Sequence, residues 1–285
     1  MKKQIVIISG KGGTGKTVVA GALAALAENK VMVDCDVDAA NLHLLLQPLI
    51  KERHEFRGGK TAVINKEMCN QCGRCVSVCR FEAIKTPSYS VDSLFCEGCS
   101  LCSRACPVSA IHMKENISGE WFVSETKYGV FIHAKLGIAE ENSGKLVSKI
   151  RQIAREKAEC LKSDYVIIDG PPGIGCPVIA SLTGTDCVLI VTEPTVSGIH
   201  DAARVIALTE FFRIRVKLVI NKYDLNPGIT NQIDVLCRDK GIPIIGRIGF
   251  DQSVVESMIS GKTVMEYCDG SVKKAFIQIW DELKE

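Results

Sequence analysis

Short apolar runs ending in small, amide or acidic residues recur along this chain, separated by stretches of helical spacing. Ile5–Ile8, Val31–Asp34, Asp164–Asp169, Cys187–Val191, Val216–Ile220 and Pro243–Ile248 have this form. Continuous apolar runs, rather than strict alternation, mark strands covered on both faces. Between them, helices are expected over Val18–Ala27, Asn142–Leu161 and Ser197–Phe211, with a short helix over Asn41–Gln47 stopped by Pro48. Ile117–Leu136 alternates like strand, and Val130–Ile132 after Gly129 is expected to rejoin the main sheet. The expected fold is α/β, a doubly wound, mostly parallel sheet with helices on both faces. Val272, Phe276, Ile279 and Leu283 repeat at helical spacing beside Trp280. That last helix reads better as a core-docked closing helix than as a membrane-surface one.

The chain has 285 residues, 46% of them hydrophobic, and a formal net charge of +2. This is ordinary soluble composition, with no electrostatic case for nucleic acid or an anionic membrane. No apolar run approaches the roughly 18 residues of a membrane span. Lys2 and Lys3 precede too short an apolar stretch for a signal peptide, so a cytoplasmic location is expected. Fourteen cysteines, eight of them between Cys69 and Cys106, point in such a chain to metal or redox chemistry rather than disulfides.

Ser9-Gly10-Lys11-Gly12-Gly13-Thr14-Gly15-Lys16-Thr17 fits G-x-x-x-x-G-K-[ST] between an apolar run and a helix-forming run. Glycines let backbone N–H groups approach phosphate oxygens, and the helix start directs its positive end at the same anion. Gly10 to Thr17 are therefore the nucleotide-cradling residues, with Lys16 reaching the β- and γ-phosphates and the Thr17 hydroxyl a Mg²⁺ ligand. Asp34, Asp36 and Asp38 follow the second strand where an α/β sheet binds ligands. Asp169 ends a buried strand in the Walker B manner and leads into Gly170-Pro171-Pro172-Gly173-Ile174-Gly175. Asp36 and Asp169 are the candidate Mg²⁺ carboxylates. The lysine early in the loop, Lys11, makes the stretch resemble the deviant Walker A motif of the MinD/ParA/nitrogenase iron protein group of ATPases. That resemblance implies Mg-dependent ATP hydrolysis in an ATP-dependent homodimer. Lys11 would reach phosphate across the interface, Asp36 would handle the attacking water, and the loop after Asp169 would sense the γ-phosphate. It also implies that Asn221 contacts adenine, with Gly249 near the base, although Asn221-Lys222-Tyr223-Asp224 also has the form of a guanine-reading motif.

Cys69-x₂-Cys72-x₂-Cys75-x₃-Cys79 is repeated 27 residues later as Cys96-x₂-Cys99-x₂-Cys102-x₃-Cys106, and Ala83-Ile84 recurs as Ala110-Ile111 at the same offset. This internal duplication resembles the bacterial two-cluster ferredoxin module, with Arg80 standing where Pro would follow the fourth cysteine of the first run. The resemblance implies two [4Fe–4S] clusters with crossed ligands, one on Cys69, Cys72, Cys75 and Cys106, the other on Cys96, Cys99, Cys102 and Cys79. A pair of zinc sites is the competing reading.

Together the motifs resemble the MinD/Mrp-type P-loop ATPases with an inserted ferredoxin-like domain. The expected division is an ATPase domain over 1–57 and 117–285 and a small α+β insert over 58–116. The implied function is coupling of nucleotide state to electron transfer by the two clusters, with a redox or client protein as partner. The alternative is ATP-dependent delivery of iron–sulfur clusters or a metal to a client. Cys176 stands at the offset from Asp169 of a cluster-ligating cysteine in the nitrogenase iron protein. Cys35, Cys160, Cys187, Cys237 and Cys268 read as small buried hydrophobes. Ser143-Gly144-Lys145 is a candidate switch-like connection, or a plain helix start.

Overall fold

The computed structural model describes residues 3–137 and 143–285. Met1, Lys2 and Asn142, which entered the sequence reading, lie outside the described residues. In chain order the first elements are β1 (Lys3–Ser9), α1 (Lys16–Leu26), β2 (Lys30–Asp34), α2 (Leu42–Leu46), β3 (Leu49–Phe56) and β4 (Gly59–Ile64). Then come α3 (Arg74–Val78), β5 (Ile84–Lys85), β6 (Ser90–Val91), α4 (Leu101–Ala105), β7 (Ile111–Asn116), β8 (Gly119–Thr126) and β9 (Gly129–Leu136). After these follow α5 (Ser143–Cys160), β10 (Tyr165–Pro172), α6 (Cys176–Leu182), β11 (Cys187–Thr192), α7 (Val196–Phe212) and β12 (Arg215–Asn221). The chain closes with α8 (Pro227–Asp239), β13 (Ile244–Ile248), α9 (Gln252–Ile259), α10 (Val264–Tyr267) and α11 (Gly270–Lys284). Two compact units result, one of Met1–Arg53, Trp121–Lys135 and Ser143–Glu285, the other of His54–Glu120 with Leu136–Asn142.

The first unit is built on a nine-stranded sheet in the order β13-β12-β11-β1-β10-β2-β9-β8-β3. From β13 to β9 every described pairing is parallel. Register explains where the chemistry falls. Phe131, Met32, Ile167, Ile5 and Cys187 form one row across five strands, all in one apolar cluster with α1 and α11. Two residues further along, the same face carries His133, Asp34, Asp169 and Ile7. Carboxylates thus replace hydrocarbon at the carboxyl ends of the strands, where α/β sheets take ligands. Val6, Ile8, Val31, Val33 and Ile168, on the other face, are fully buried as well. There α5 packs on β2 and β10. Burial on both faces is why the strands read as apolar runs rather than alternating.

The closing helix docks on the core: Phe276, Ile279 and Leu283 are fully buried, and Lys3 Nζ donates to the Leu283 carbonyl at 2.6 Å. Among the described residues no helix is long and apolar enough to cross a membrane. Two elements differ from the sequence reading. β3 is an edge strand with Leu49 and Ile50 largely exposed and charged residues following, so it carries no apolar period. β10 runs on through Gly170-Pro171-Pro172, with Pro172 beside Ser9. A Cβ on Gly170 would lie 2.7 Å from Ile8 Cγ2 and 2.8 Å from the Ile7 carbonyl, so this strand end closes on β1 only because it has no side chain.

In the second unit β4 and β7 pair antiparallel from Gly59↔Asn116 to Ile64↔Ile111, and β5 pairs with β6. Its core gathers Ala62, Cys75, Ile84 and Ile111, with Cys79, Cys96, Cys102 and Cys106 packed against them. The duplication is structural. Gln71 and Gly98 have φ of 57° and 62°, Gly73 and Ser100 75° and 64°, Glu82 and Ser109 50° and 52°. Each pair is separated by the offset of the cysteine runs, and each cysteine run turns into a short helix, α3 or α4.

Candidate functional site

The glycine-rich loop joins β1 to α1, and Gly15 at φ 97° caps the helix. A Cβ there would collide with the Asn221 amide, whose Nδ2 donates to the Thr14 carbonyl at 2.8 Å. β12 thereby braces the loop. Gly12 and Gly13 form an exposed tip, and a Cβ on either would meet nothing within 4 Å. Lys16 opens α1 and is only 6% exposed. It faces the acids, for its charge lowers the pKa of both Asp36 and Asp169 against the opposing effect of burial.

The acids divide the work. Asp34 is fully buried and accepts from the Asp36 N–H at 3.0 Å and the Leu42 N–H at 3.2 Å, so it shapes the turn that carries Asp36. Burial beside Asp169 pushes its pKa well up. Asp36 is half-buried, whereas Asp38 points to solvent. Burial also raises Asp169 to about 7, despite Lys16 and a hydrogen bond from the Thr17 hydroxyl. Asp169 Oδ1 and Thr14 Oγ1 are buried without a hydrogen-bond partner. Orphaned oxygens at such depth are uncommon. Their place between loop and carboxylates suits a hydrated cation and a phosphate, so the residues present fit Mg²⁺ and a nucleotide.

Lys11 is not free. Its Nζ lies 2.8 Å from Glu193 Oε1 and donates to Thr195 Oγ1 at 3.0 Å and Ser197 Oγ at 2.9 Å. Glu193 Oε2 pairs with Lys222 Nζ at 3.1 Å. Burial raises the Glu193 pKa, but the hydrogen bonds from both lysines outweigh it and the net shift is downward. Sequence reasoning missed Glu193 and Lys222 as site residues. The signal available was the position of Glu193 just past the carboxyl end of β11.

Beyond Asn221, Asp224 Oδ1 accepts the Phe250 N–H at 2.8 Å, and the Tyr223 N–H reaches the Ile248 carbonyl at 3.2 Å. These bonds bring Gly249 to the Asn221–Asp224 loop. Asn221 Oδ1 accepts the Lys222 N–H, so with Nδ2 on Thr14 the amide keeps one N–H for a base. Asp224, committed to Phe250, has one oxygen occupied that a guanine reader would present.

A family model for the CobQ/CobB/MinD/ParA nucleotide-binding domain matches residues 5–264. The chain belongs to this family. It is an ATP-binding ATPase of the MinD/ParA type with a P-loop α/β fold. An uncharacterized protein of Methanocaldococcus jannaschii is 33% identical over 99% of this chain and 96% of its own length. The septum site-determining protein MinD of Bacillus subtilis is 25% identical over 93% of this chain and 82% of its own. Among solved structures, MinD of Pyrococcus horikoshii complexed with Mg-ADP aligns with a TM-score of 0.62 at 18% identity, over 100% of this chain and 97% of the other. That last likeness is one of fold.

In the second unit the cysteines group by space and not by run. One cavity is lined by Cys69, Cys72, Cys75 and Cys106, another by Cys79, Cys96, Cys99 and Cys102. In each, three cysteines come from one run and the fourth from the other. None of the eight is in a disulfide. Burial raises the Cys102 pKa first, and the charges of Cys96, Cys99 and Cys79 add to it. Among the described residues no three His, Cys, Asp or Glu side chains gather closely enough to hold a single metal ion. Of the remaining cysteines, Cys35, Cys187, Cys237 and Cys268 are buried as expected, but Cys160 is exposed at the end of α5. Cys176 is also exposed, and its carbonyl is 3.4 Å from where a Gly144 Cβ would stand, which sets the start of α6 against the start of α5.

Proposed function

We propose that this ATPase couples its nucleotide state to electron transfer through two [4Fe–4S] clusters held by an inserted ferredoxin-like domain. The observation that carries the reading is the pair of cavities, each lined by four cysteines in the crossed three-plus-one arrangement. The crossed pairing is the ligand arrangement of a two-cluster ferredoxin. Clusters of this kind supply one-electron storage, and the eight thiolates would be their only protein ligands.

In the ATPase unit Lys16 would stabilise charge on the transferred phosphoryl group, and Gly10 to Thr17 would cradle the phosphates. Thr17, Asp36 and Asp169 would hold Mg²⁺. Asp36, half-buried on the turn that Asp34 shapes, would also orient the attacking water. Asn221 and Gly249 would meet the base. Lys11 would leave Glu193 to reach nucleotide across a homodimer, and Gly173, at φ 92° with its N–H on the Ser9 carbonyl at 2.8 Å, would transmit loss of the γ-phosphate.

The test is iron content and EPR of the anaerobic, reduced chain with and without Mg-ATP. Two stable clusters whose signal shifts with nucleotide are expected. Zinc in place of iron sinks the reading. Clusters indifferent to nucleotide but transferred to an apo-acceptor in an ATP-dependent way would replace it with cluster delivery.

A further inference from the structure

The second unit presents the same local structure twice, and its two copies differ in ways that act on a redox centre. This inference rests on the iron–sulfur reading above. Asn70 and Glu97 each follow the first cysteine of their run, and each lines the cavity of that run. One site therefore has a neutral amide where the other has a carboxylate. The Ala110 N–H donates to Cys106 Sγ at 3.3 Å, whereas the counterpart sulfur, Cys79, has no hydrogen bond among the described residues. Both cavities are otherwise walled mostly by apolar side chains, so the walls do not separate them. Each site exposes one cysteine, Cys72 or Cys99, so solvent access does not separate them.

Reduction adds one negative charge to a site. N–H donors to sulfur favour it, while a nearby carboxylate opposes it. Both differences have the same sign. We propose that Glu97 makes the Cys79, Cys96, Cys99, Cys102 site the lower-potential one, and that Ala110 N–H and Asn70 make the Cys69, Cys72, Cys75, Cys106 site the higher. With both sites loaded, an electron supplied by an external one-electron donor would come to rest on the second site, the donor losing what that site gains.

The experiment is a potentiometric titration of the anaerobically reconstituted full chain, followed by EPR, with iron per chain measured on every sample. Two one-electron waves are expected, apart by at least tenfold in equilibrium constant, about 59 mV. Glu97 is exposed and screened, so Glu97→Gln should raise the lower wave by roughly two- to tenfold in its equilibrium and leave the upper one in place. Asn70→Asp should lower the upper wave only. Coincident waves, or a Glu97→Gln shift in the upper wave, overturn the proposal while full iron content leaves the iron–sulfur reading standing. A chain that binds no iron overturns that reading instead.

Discussion

Lys11 and Glu193 form a 2.8 Å ion pair within one subunit, so the second lysine of the nucleotide loop is already held by its own chain. Glu193 also pairs with Lys222, next to Asn221, and so ties the glycine-rich loop to the segment after β12. If nucleotide draws Lys11 away, part of this pair is lost on binding. Glu193→Gln is then expected to tighten Mg-ATP binding by about 1 kcal/mol, roughly fivefold, for a half-buried pair. Equilibrium titration checks it, and unchanged or weaker affinity sinks the idea.

On the proposed roles, Asp36 and Lys16 differ in what they give the nucleotide. Asp36→Asn should lower single-turnover hydrolysis by roughly 10²–10³ and weaken Mg-ATP binding less than Lys16→Ala does. Lys16→Ala, which removes the buried cation facing both acids, should lose most nucleotide affinity as well. Equal loss of affinity in the two variants would argue against the assignment of Asp36 to the water.

The crossed cysteine pairing has a non-additive signature. Cys69→Ser/Cys106→Ser should lose the same iron as either single variant, about half, because both side chains line one cavity. Cys69→Ser/Cys79→Ser should lose nearly all, because it strikes both cavities. The reverse pattern in iron analysis would show that each run binds its own cluster.

His133 predicts an acid limb in stability. It is 9% exposed, stacked between Phe122 and Phe131, with Nε2 3.0 Å from Ser124 Oγ. Burial first, and then His43, lower its pKa from 6.5 to about 4. The unfolded chain therefore takes the proton at higher pH than the folded one. Stability is full above pH 6.5 and falls by about 3 kcal/mol as pH drops to about 4. Denaturant titrations across this range should show the limb in the native chain and its absence in His133→Leu. A limb that survives the substitution assigns it elsewhere.

Gly246 on β13 lies under α11. A Cβ there would stand well inside van der Waals contact with Ile279 Cγ1, which is fully buried and has no room to retreat. Gly246→Ala should cost roughly 1–3 kcal/mol in chemical denaturation. A neutral effect would mean that α11 docks more loosely than this contact implies.

Much of this protein is determined by local sequence. The apolar runs specify strands covered on both faces, because burial removes the polar alternation of a half-solvated strand. The loop Gly10–Thr17 is legible because a phosphate cradle needs glycines, a lysine and a hydroxyl at fixed steps along one short segment. The cysteine duplication is legible because α3 and α4 reuse the same positive-φ positions at the same offset. Tertiary structure alone decided the rest. The partners of Lys11 come from beyond β11, far along the chain, and only strand order in the sheet brings Glu193 to the loop. Edge strand β3 carries no period because it buries no continuous face. Asp34 and Asp169 look alike in sequence, each closing an apolar strand. Only packing shows that Asp34 spends its oxygens on the Asp36 and Leu42 N–H groups while one Asp169 oxygen stays unpartnered, since hydrogen bonding in a buried site depends on which backbone groups happen to face it.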